Sequence, residues 1–232
     1  MLARKYKSQI VSIENLVEDI YTIKLSSLNK KYKYYPGQFL HLSIDSDYDG
    51  IGQWPESRCF SMQSNPDENI IKISYAVKGK YTDEMKRNLN QGDTVWLKLP
   101  FGNLFTQSHN TTNTVFIAGG TGITPFLSLF TSKLFTQYVS PRIYLGFRTD
   151  SHNIFKNDLK QIDKNSQNNS PSILSIKHQN VDGIIDIKKI FFENGLKCNY
   201  FISGPPQMIK NFKYYLVGEG VRQRFILTDE WE

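Results

Sequence analysis

The chain has 232 residues, of which 39% are hydrophobic and 22% are charged, with 15 glycines and 9 prolines. This composition excludes a disordered or fibrous protein. The length is sufficient for two domains of ordinary size. The formal net charge is +6, but no basic-aromatic pattern of a nucleic-acid-binding module accompanies it, so nucleic acid is not an expected partner. The only two cysteines, Cys59 and Cys198, are too few for a metal–thiolate cluster, so no metal site is predicted.

No apolar block has the length of a signal peptide or of a membrane helix, so we expect a cytoplasmic protein without membrane insertion. Residues 1–35 carry seven Lys or Arg against three acidic residues. Such a surface would suit an acidic partner or an anionic ligand. An ordinary solvated basic surface is the simpler explanation.

The first half of the chain, up to about Phe105, contains short segments with alternating hydrophobic residues. They read QIVSI, YTIKLS, QFLHLSI, IIKISYAV and TVWLKL. Their two-residue period and the turn signals between them predict antiparallel strands that close a small Greek-key barrel. We place this β-barrel domain at residues 1–108.

The second half alternates compact apolar runs with segments of helical length. Strands are predicted at 114–118, 142–147, 172–178, 199–203 and 224–228, and helices at 124–137, 153–163, 185–194 and 206–217. This alternation is typical of a parallel sheet built from βαβ units. The sequence therefore predicts a two-domain β + α/β protein, in which residues 109–232 form a Rossmann-like nucleotide-binding domain.

Residues 116–125, FIAGGTGITP, are the most informative stretch of the second half. A strand that ends in closely spaced glycines and enters a helix leaves backbone N–H groups accessible at the carboxyl edge of the sheet, where a diphosphate can bind. The stretch is not G-x-G-x-x-G, and a tight turn without a ligand is the alternative. The residues in question are Gly119, Gly120, Thr121, Gly122, Thr124 and Pro125.

A second stretch, RCFSMQS at 58–64, lies in the barrel half. In a strand, Arg58 and Phe60 share one face, so that a guanidinium able to bind phosphate lies beside a flat ring able to cover a conjugated ligand. The Ser61 hydroxyl could meet a heteroatom of that ligand. An edge strand with one buried Phe is the alternative.

Two further stretches have the same character. VKGKYTDEMKR at 77–87 reads as a loop feeding a short helix capped by Thr82, whose N–H groups could hold a second phosphate; plain helix capping explains it as well. FISGPPQM at 201–208 places Ser203 and Gly204 at the carboxyl edge of the predicted sheet. A rigid connector is the alternative there.

In this order, across a β half and an α/β half, these stretches resemble the motifs of the ferredoxin–NADP reductase superfamily. RCFSMQS is similar to its Arg-x-Tyr-Ser flavin motif, YYPGQFLHL to the preceding strand, and GKYT to its Gly-x-x-Ser/Thr pyrophosphate loop. GGTGITP is similar to its nicotinamide-dinucleotide loop, SGPPQM to its Cys-Gly-x-x-x-Met loop, and TDEWE to its acidic-aromatic ending. The resemblance spans nearly the whole chain.

The resemblance implies an FAD site on the barrel. Arg58 would hold a flavin phosphate, Phe60 would cover the isoalloxazine, and Ser61 would lie near its N5. Thr82 and the Gly79 loop would meet the pyrophosphate. The other residues assigned to the flavin on this basis are Cys59, Tyr75, Val77, Tyr81 and, closing over the ring, Trp231.

The resemblance also implies that NAD(P)H binds the second half, with Ser203 and Gly204 beside the nicotinamide. The remaining residues assigned to the nucleotide are Gly119, Gly120, Thr121, Gly122, Thr124, Pro125, Arg148, Pro205 and Met208. The catalytic set is predicted as Ser61, Ser203 and Glu230. Arg148 would pair with the 2′-phosphate of NADP, whereas Asp150 and Asn153 could equally receive a ribose hydroxyl.

The expected activity is transfer of hydride from NAD(P)H to bound FAD, followed by electron transfer to a separate carrier protein. Phe60 in place of tyrosine and Ser203 in place of cysteine are departures from the family motifs. They favour, as the alternative, a reductase that uses free flavin as a diffusible substrate. A relative that binds nucleotide without redox activity is a third possibility.

Overall fold

The fold is taken from a computed structural model, in which the structure describes residues 1–166 and 173–229. The first half forms a six-stranded antiparallel sheet with the order β4-β3-β6-β1-β2-β5. Its strands are β1 (Arg4–Val17), β2 (Ile20–Ser27), β3 (Phe39–Ser43), β4 (Arg58–Ser61), β5 (Ile70–Ala76) and β6 (Thr94–Phe101), with helix α1 (Lys80–Asn88) between β5 and β6. Every strand segment predicted for the barrel half is present.

The barrel core follows from the alternation in these strands. In β3, Leu40 and Leu42 are fully buried, while the alternate residues Phe39 and His41 are only half-buried. The two end strands, β4 and β5, have no ladder between them. The opening of the barrel therefore lies beside β4, the strand that carries the predicted flavin residues.

The second half forms a five-stranded parallel sheet with the order β11-β10-β7-β8-β9. Its strands are β7 (Thr114–Gly119), β8 (Arg142–Phe147), β9 (Ile173–His178), β10 (Asn199–Ser203) and β11 (Ile226–Thr228). Its helices are α2 (Thr124–Phe130), α3 (Lys156–Ser166), α4 (Gln179–Asp182), α5 (Ile187–Asn194) and α6 (Pro206–Gly218). The predicted fold class, an antiparallel barrel followed by a parallel α/β domain, is confirmed.

The helix predicted at 124–137 is two elements. Helix α2 ends at Phe130, and a 3₁₀ helix, Lys133–Gln137, follows. The break lies at Ser132, whose hydroxyl donates to Leu129 O at 2.9 Å and accepts from Leu134 N–H at 3.3 Å. A serine that bonds to local backbone in this way competes with the helical ladder, which the hydrophobic period alone does not show.

Smaller differences occur elsewhere. The strand predicted at 224–228 begins only at Ile226, after a 3₁₀ turn at Gln223–Phe225. In α6 the buried face is formed by Ile209, Phe212 and Leu216, and Met208 packs, partly buried, against the same core. Helix α4 was not predicted, and residue 172 of the predicted 172–178 strand lies outside the described residues.

Residues 102–113 connect the two sheets, and the proposed domain boundary between 108 and 109 falls within this connection. Cys59 and Cys198 do not form a disulfide with each other. Within residues 1–166 and 173–229, no three His, Cys, Asp or Glu side chains are grouped as metal ligands. No described helix has both the length and the apolar character needed to cross a bilayer; the cytoplasmic location stays a prediction.

Candidate active site where the two sheets meet

Asp229 joins the two halves of the molecule at the carboxyl edge of the parallel sheet. Its Oδ2 accepts a hydrogen bond from Ser61 Oγ of the barrel at 3.2 Å and one from Ser203 Oγ of β10 at 3.3 Å. Ser61 is 4% exposed and Ser203 is 2% exposed. The two serines predicted from separate motifs therefore meet at one carboxylate oxygen.

Asp229 is the functional candidate that the sequence analysis missed. Its backbone N–H donates to Ile202 O at 3.1 Å, which extends the pairing of β11 with β10 by one residue and points the carboxylate at the serines. The available signal was the acidic ending TDEWE, from which Glu230 and Trp231 were selected instead. Both of these lie outside the described residues.

Arg58 and Phe60 lie on the same face of β4, because they pair with the buried Leu42 and Leu40 of β3. The Arg58 guanidinium lies 4.9 Å from the centre of the Tyr81 ring and forms an ion pair with Glu56 at 3.0 Å. Its side chain is 52% exposed. A phosphate could therefore reach Arg58, but it would compete with Glu56 for the guanidinium.

The Phe60 ring belongs to the barrel core. It is 7% exposed and lies 5.6 Å from the ring of Tyr75, which in turn stacks on Tyr21 at 5.7 Å. Burial raises the pKa of the Tyr75 phenol, so this ring stays neutral at physiological pH. Little of the Phe60 ring is therefore accessible for stacking in this arrangement. Val77, also assigned to the flavin, is half-buried next to the same core.

Cys59 points away from this face of β4. It pairs with His41, and its Sγ lies 3.5 Å from His41 Nε2 on the outer side of the barrel. Burial, and secondarily the charge of Lys98, lowers the pKa of His41. The side chain of Cys59 is thus separated from those of Arg58 and Phe60, and only its backbone lies beside them.

The predicted cap of α1 is corrected by the structure. Gly79 is the N-cap residue and Thr82 lies three positions into the helix. Thr82 Oγ1 accepts from the N–H groups of Lys78 and Gly79 at 2.9 and 3.2 Å and donates to Gly79 O at 3.1 Å. This hydroxyl is fully used in fixing the loop. A phosphate at this helix terminus would therefore meet backbone N–H groups of the first turn rather than the Thr82 hydroxyl.

Tyr81 also has a structural position. It is 6% exposed, and its hydroxyl donates to Leu42 O at 2.6 Å and accepts from Ile44 N–H at 3.2 Å. Burial raises the pKa of this phenol as well. Tyr81 fixes α1 to the end of β3 and presents only the face of its ring to Arg58.

Two of the three glycines in residues 119–122, Gly119 and Gly122, pack against the loop that follows β10. A methyl group on Gly122 would lie 2.5 Å from Gly204 N, and one on Gly119 would lie 3.0 Å from Met208 Sδ and 3.1 Å from Pro205 Cδ. A methyl group on Gly204, whose φ is +148°, would in turn lie 3.0 Å from Gly119 N. The loop that follows β7 and the loop that follows β10 therefore pack so closely that neither has room for a side chain at these glycines.

Only part of this loop is open to a ligand. Gly120 adopts φ of +55°, and nothing lies within 4 Å of a methyl group placed on it. Thr121 is half-buried, whereas Thr124 is 4% exposed and donates its hydroxyl to Thr121 O at 2.9 Å. Pro125 is buried in the first turn of α2. Gly120 and Thr121 are therefore the accessible positions, while Thr124 and Pro125 have structural partners.

The end of β8 contains charged and polar groups suited to a nucleotide's second ribose. Arg148 is exposed, and Asp150 forms an ion pair with Lys156 at 2.6 Å and lies 3.6 Å from His178. The Lys156 hydrogen bond holds the pKa of Asp150 below its usual range. Asn153 is 5% exposed, and its Oδ1 has no hydrogen-bond partner in the described part of the chain.

Comparison with known proteins agrees with this architecture. Residues 116–213 match the family model of the oxidoreductase NAD-binding domain. The reductase component of propane 2-monooxygenase from Mycolicibacterium smegmatis is 24% identical over 221 residues, which cover 88% of this chain and 61% of that protein. The naphthalene 1,2-dioxygenase system ferredoxin–NAD(P)(+) reductase component from Pseudomonas putida is 25% identical over 150 residues, 63% of this chain and 43% of that protein.

Among solved structures, a ferredoxin NADP+ reductase from Neisseria gonorrhoeae with bound FAD and NADP superposes with a TM-score of 0.76 at 18% identity, covering 97% of each chain. The molecule is thus a two-domain protein with the ferredoxin–NADP reductase fold. The similarity to the oxidoreductase NAD-binding domain, at residues 116–213, lies in its second half. The chain spans 61% and 43% of the lengths of the two relatives named above.

Proposed function

We propose that the protein is an FAD-dependent reductase that takes hydride from NADH or NADPH and passes the electrons to a separate carrier, such as a ferredoxin, a flavodoxin or an oxygenase component. The observation that carries this proposal is the shared Asp229 oxygen, at which Ser61 of the barrel meets Ser203 of the parallel sheet. Hydride transfer requires two rings held about 3–3.5 Å apart. A junction between a flavin half and a nucleotide half suits that requirement.

The residues at this junction fit the two cofactors. Nothing lies within 4 Å of a methyl group placed on Gly79 or Gly120, so backbone can be approached closely at both loops. We assign the flavin pyrophosphate to the start of α1 and Arg58, and the nucleotide diphosphate to Gly120 and Thr121. When bound, FAD supplies hydride acceptance and one-electron release.

The contribution of the chain is then binding and orientation. Asp229 Oδ2 holds the hydroxyl protons of Ser61 and Ser203 in fixed directions. Both serines are nearly inaccessible to solvent, so few water molecules can compete for the reacting atoms. A titratable side chain is not needed for hydride transfer itself. With their protons directed at Asp229, the two serine oxygens are left to accept hydrogen bonds from N–H groups of the two rings.

A second function, reduction of free flavin, is favoured by a specific observation. Arg58 is already paired with Glu56 at 3.0 Å, and Phe60 is only 7% exposed. Flavin binding must therefore displace Glu56 from Arg58 and reach a Phe60 ring that is almost covered, and both requirements weaken flavin binding. In this second function NADH or NADPH is still the hydride donor, but flavin is a diffusible substrate that leaves the protein after reduction.

Purification and an anaerobic titration test these proposals. We expect a yellow protein whose FAD survives gel filtration and is bleached by NADH or NADPH. A colourless protein that reduces added flavin would instead support the second function. If FAD-loaded protein is bleached by neither donor, both enzyme functions are excluded, and a nucleotide-binding protein without redox activity is left.

The choice of carrier rests on charge. Lys30, Lys31 and Lys33 are exposed on the barrel half, and complementary charge accelerates association with an acidic partner. The relatives from M. smegmatis and P. putida are reductase components of oxygenase systems. We therefore expect electron transfer to an acidic carrier to slow as salt is raised, while hydride transfer from NAD(P)H changes little.

A further inference from the structure

The segment Ser61–Asn65, here called the interdomain seam, is hydrogen-bonded to the second half at almost every residue. Ser61 donates to Asp229, Gln63 Nε2 donates to Asp158 Oδ2 at 3.0 Å, and Asn65 Nδ2 donates to Thr131 O at 2.9 Å. Ser64 O accepts from Ser128 Oγ at 2.8 Å. The seam directly continues β4, which carries Arg58 and Phe60.

Asp158, on α3, accepts three of the hydrogen bonds that cross between the halves, from two donor groups. Lys72 Nζ lies 3.1 Å from both of its oxygens, and Gln63 adds the third hydrogen bond. The side chains of Lys72 and Asp158 are 24% and 23% exposed. A carboxylate that accepts three hydrogen bonds in a mostly buried position is held far more firmly than a surface ion pair.

The hydrogen bonds continue from Asp158 into the barrel with a fixed direction. Because a carboxylate only accepts, the amide nitrogen of Gln63 faces Asp158 and its Oε1 faces the barrel, where it accepts from Ser74 Oγ at 2.7 Å. Ser74 has one proton, so it accepts from Thr22 Oγ1 at 2.8 Å. Gln63, Ser74 and Thr22 are 3%, 7% and 7% exposed. Asp158 therefore sets the orientation of a buried chain that reaches β2.

The seam also has a short route to the nucleotide loop. Ser128 lies in α2, which follows residues 120–123 directly, and it is fully buried. Its bond to Ser64 O fixes α2 against the continuation of β4. A few buried hydrogen bonds thus fix the position of the loop assigned to the nucleotide relative to the strand assigned to the flavin.

We propose that Asp158 is a positioning residue, which sets the placement of the nucleotide-binding sheet against β4 through the interdomain seam. This inference rests on the proposed function. Asp158→Asn leaves Lys72 and Gln63 a single neutral oxygen in place of their shared carboxylate, sets an NH₂ donor beside them, and so lets the two halves shift. A displacement of about 1 Å between reacting rings costs about a hundredfold in rate, whereas binding of each cofactor by its own half is preserved.

The test uses the full chain loaded with FAD, with the wild type measured first. We expect Asp158→Asn to lower the limiting rate of flavin reduction by NADH or NADPH at least tenfold. The Kd of FAD, the Kd of the nucleotide and the rate of flavin reduction by dithionite should change less than threefold. Glu14→Gln is the matched control, because it removes the charge of another Lys–carboxylate pair at 3.1 Å, Lys24–Glu14, which lies wholly within the barrel on β1 and β2.

The Lys72→Met/Asp158→Asn double variant should be no slower than Asp158→Asn alone, because the two residues act as one unit. If Asp158→Asn does not fold, Ser128→Ala carries the same test, with a tenfold loss expected. Limiting rates within twofold of wild type, an equal loss in Glu14→Gln, or a loss that follows FAD affinity would overturn the proposal. The wild type is measured before any variant. If neither nucleotide reduces its flavin, the proposed function is overturned instead.

Discussion

At Asp229, one carboxylate oxygen orients the two serine hydroxyls of the candidate site. Asp229→Asn keeps the size of the side chain but replaces this anionic acceptor by an amide. Since a hydrogen bond to a charged group contributes about 1.5–3 kcal/mol, we expect the limiting rate of flavin reduction to fall about tenfold to a hundredfold. Anaerobic stopped-flow absorbance measures it, and Asp186→Asn, at the start of α5, is the control. An unchanged rate would remove Asp229 from the site.

Gly122 is a position where packing, rather than a ligand, excludes a side chain. A methyl group there would lie 2.5 Å from Gly204 N and 2.7 Å from Ser203 C. We expect Gly122→Ala to lower the free energy of unfolding by about 1–3 kcal/mol, the usual cost of overpacking. Urea denaturation tests this. Gly218→Ala, where nothing lies within 4 Å, should leave stability unchanged or slightly higher, and equal effects would contradict the close packing of the two loops.

Arg148 offers an exposed cation at the end of β8, next to the Asp150–Lys156 pair. If NADPH is the donor, Arg148→Ala should raise its KM about tenfold or more, the scale of a lost charged hydrogen bond. The KM for NADH should change little, because NADH has no 2′-phosphate. Steady-state kinetics with both donors decides this, with the exposed Lys210→Ala as control. A parallel rise for both donors would withdraw the assignment.

The individual residues show where sequence reasoning reaches its limit. Ser61 and Ser203 were predicted from separate motifs, and the structure brings both to one carboxylate. The glycines were read as space for a ligand, because the sequence does not say that residues 119–122 and 203–205 contact each other. That contact is a property of two loops far apart in the chain, and only Gly120 keeps the predicted openness.

At the scale of elements, hydrophobic period located the strands well and the helix ends less well. Strand β8 lies at 142–147 as predicted, since its apolar run is compact and bounded by turns. The helix predicted at 124–137 breaks at Ser132, where a side-chain hydrogen bond replaces the backbone ladder. Short-range polar chemistry of this kind is invisible to a period count.

A row of side chains across β4, β3 and β6 makes a pH prediction. His41 lies between Cys59 and Lys98 in the register of these strands, and burial, then Lys98, lowers its pKa. The unfolded chain, with an ordinary pKa of about 6.5, then binds more protons than the native state in the window below that value. Stability is therefore complete above pH 6.5 and is lost as the pH falls from there through the native pKa.

We expect the melting temperature of the wild type to decrease between pH 7 and pH 5 more steeply than that of His41→Asn. Differential scanning fluorimetry across this range gives both slopes. His152→Asn, in which the pKa of His41 is untouched, should keep the wild-type slope. If the melting temperatures of His41→Asn and of the wild type decrease in parallel, folding does not lower the pKa of His41.

At the scale of the whole molecule, the barrel and the parallel sheet could be predicted because each half has its own period and its own motifs. Their relative placement could not, because it depends on hydrogen bonds such as those from Gln63 to Asp158 and from Ser128 to Ser64, between residues separated by 95 and 64 positions. No local pattern marks Asp158 in the sequence. The active junction is thus assembled from long-range contacts that only the folded chain shows.

Phe105 is the aromatic contact that couples the two halves. Its ring lies 5.1 Å from that of Phe201 and 6.0 Å from that of Phe126 in the second core, while a methyl group on Gly37 of the barrel would lie 2.7 Å from its Cε2. Phe105→Ala opens a gap between the halves and should cost about 3 kcal/mol. For a chain of this size that corresponds to a decrease of roughly 6–12 °C in melting temperature.

The two halves can be followed separately in a Trp231→Phe background. Fluorescence then reports on the barrel half, which contains the other two tryptophans, Trp54 and Trp96. Circular dichroism of helices reports mainly on the second half, which contains most of the helices. We expect fluorescence and circular dichroism to melt together in this background and to separate once Phe105→Ala is added. Phe192→Ala, at a position that is 90% exposed, is the matched control and should change neither. Coincident transitions with a shift as small as the control's would show that Phe105 does not couple the halves, and that the polar contacts of the interdomain seam hold them together by themselves.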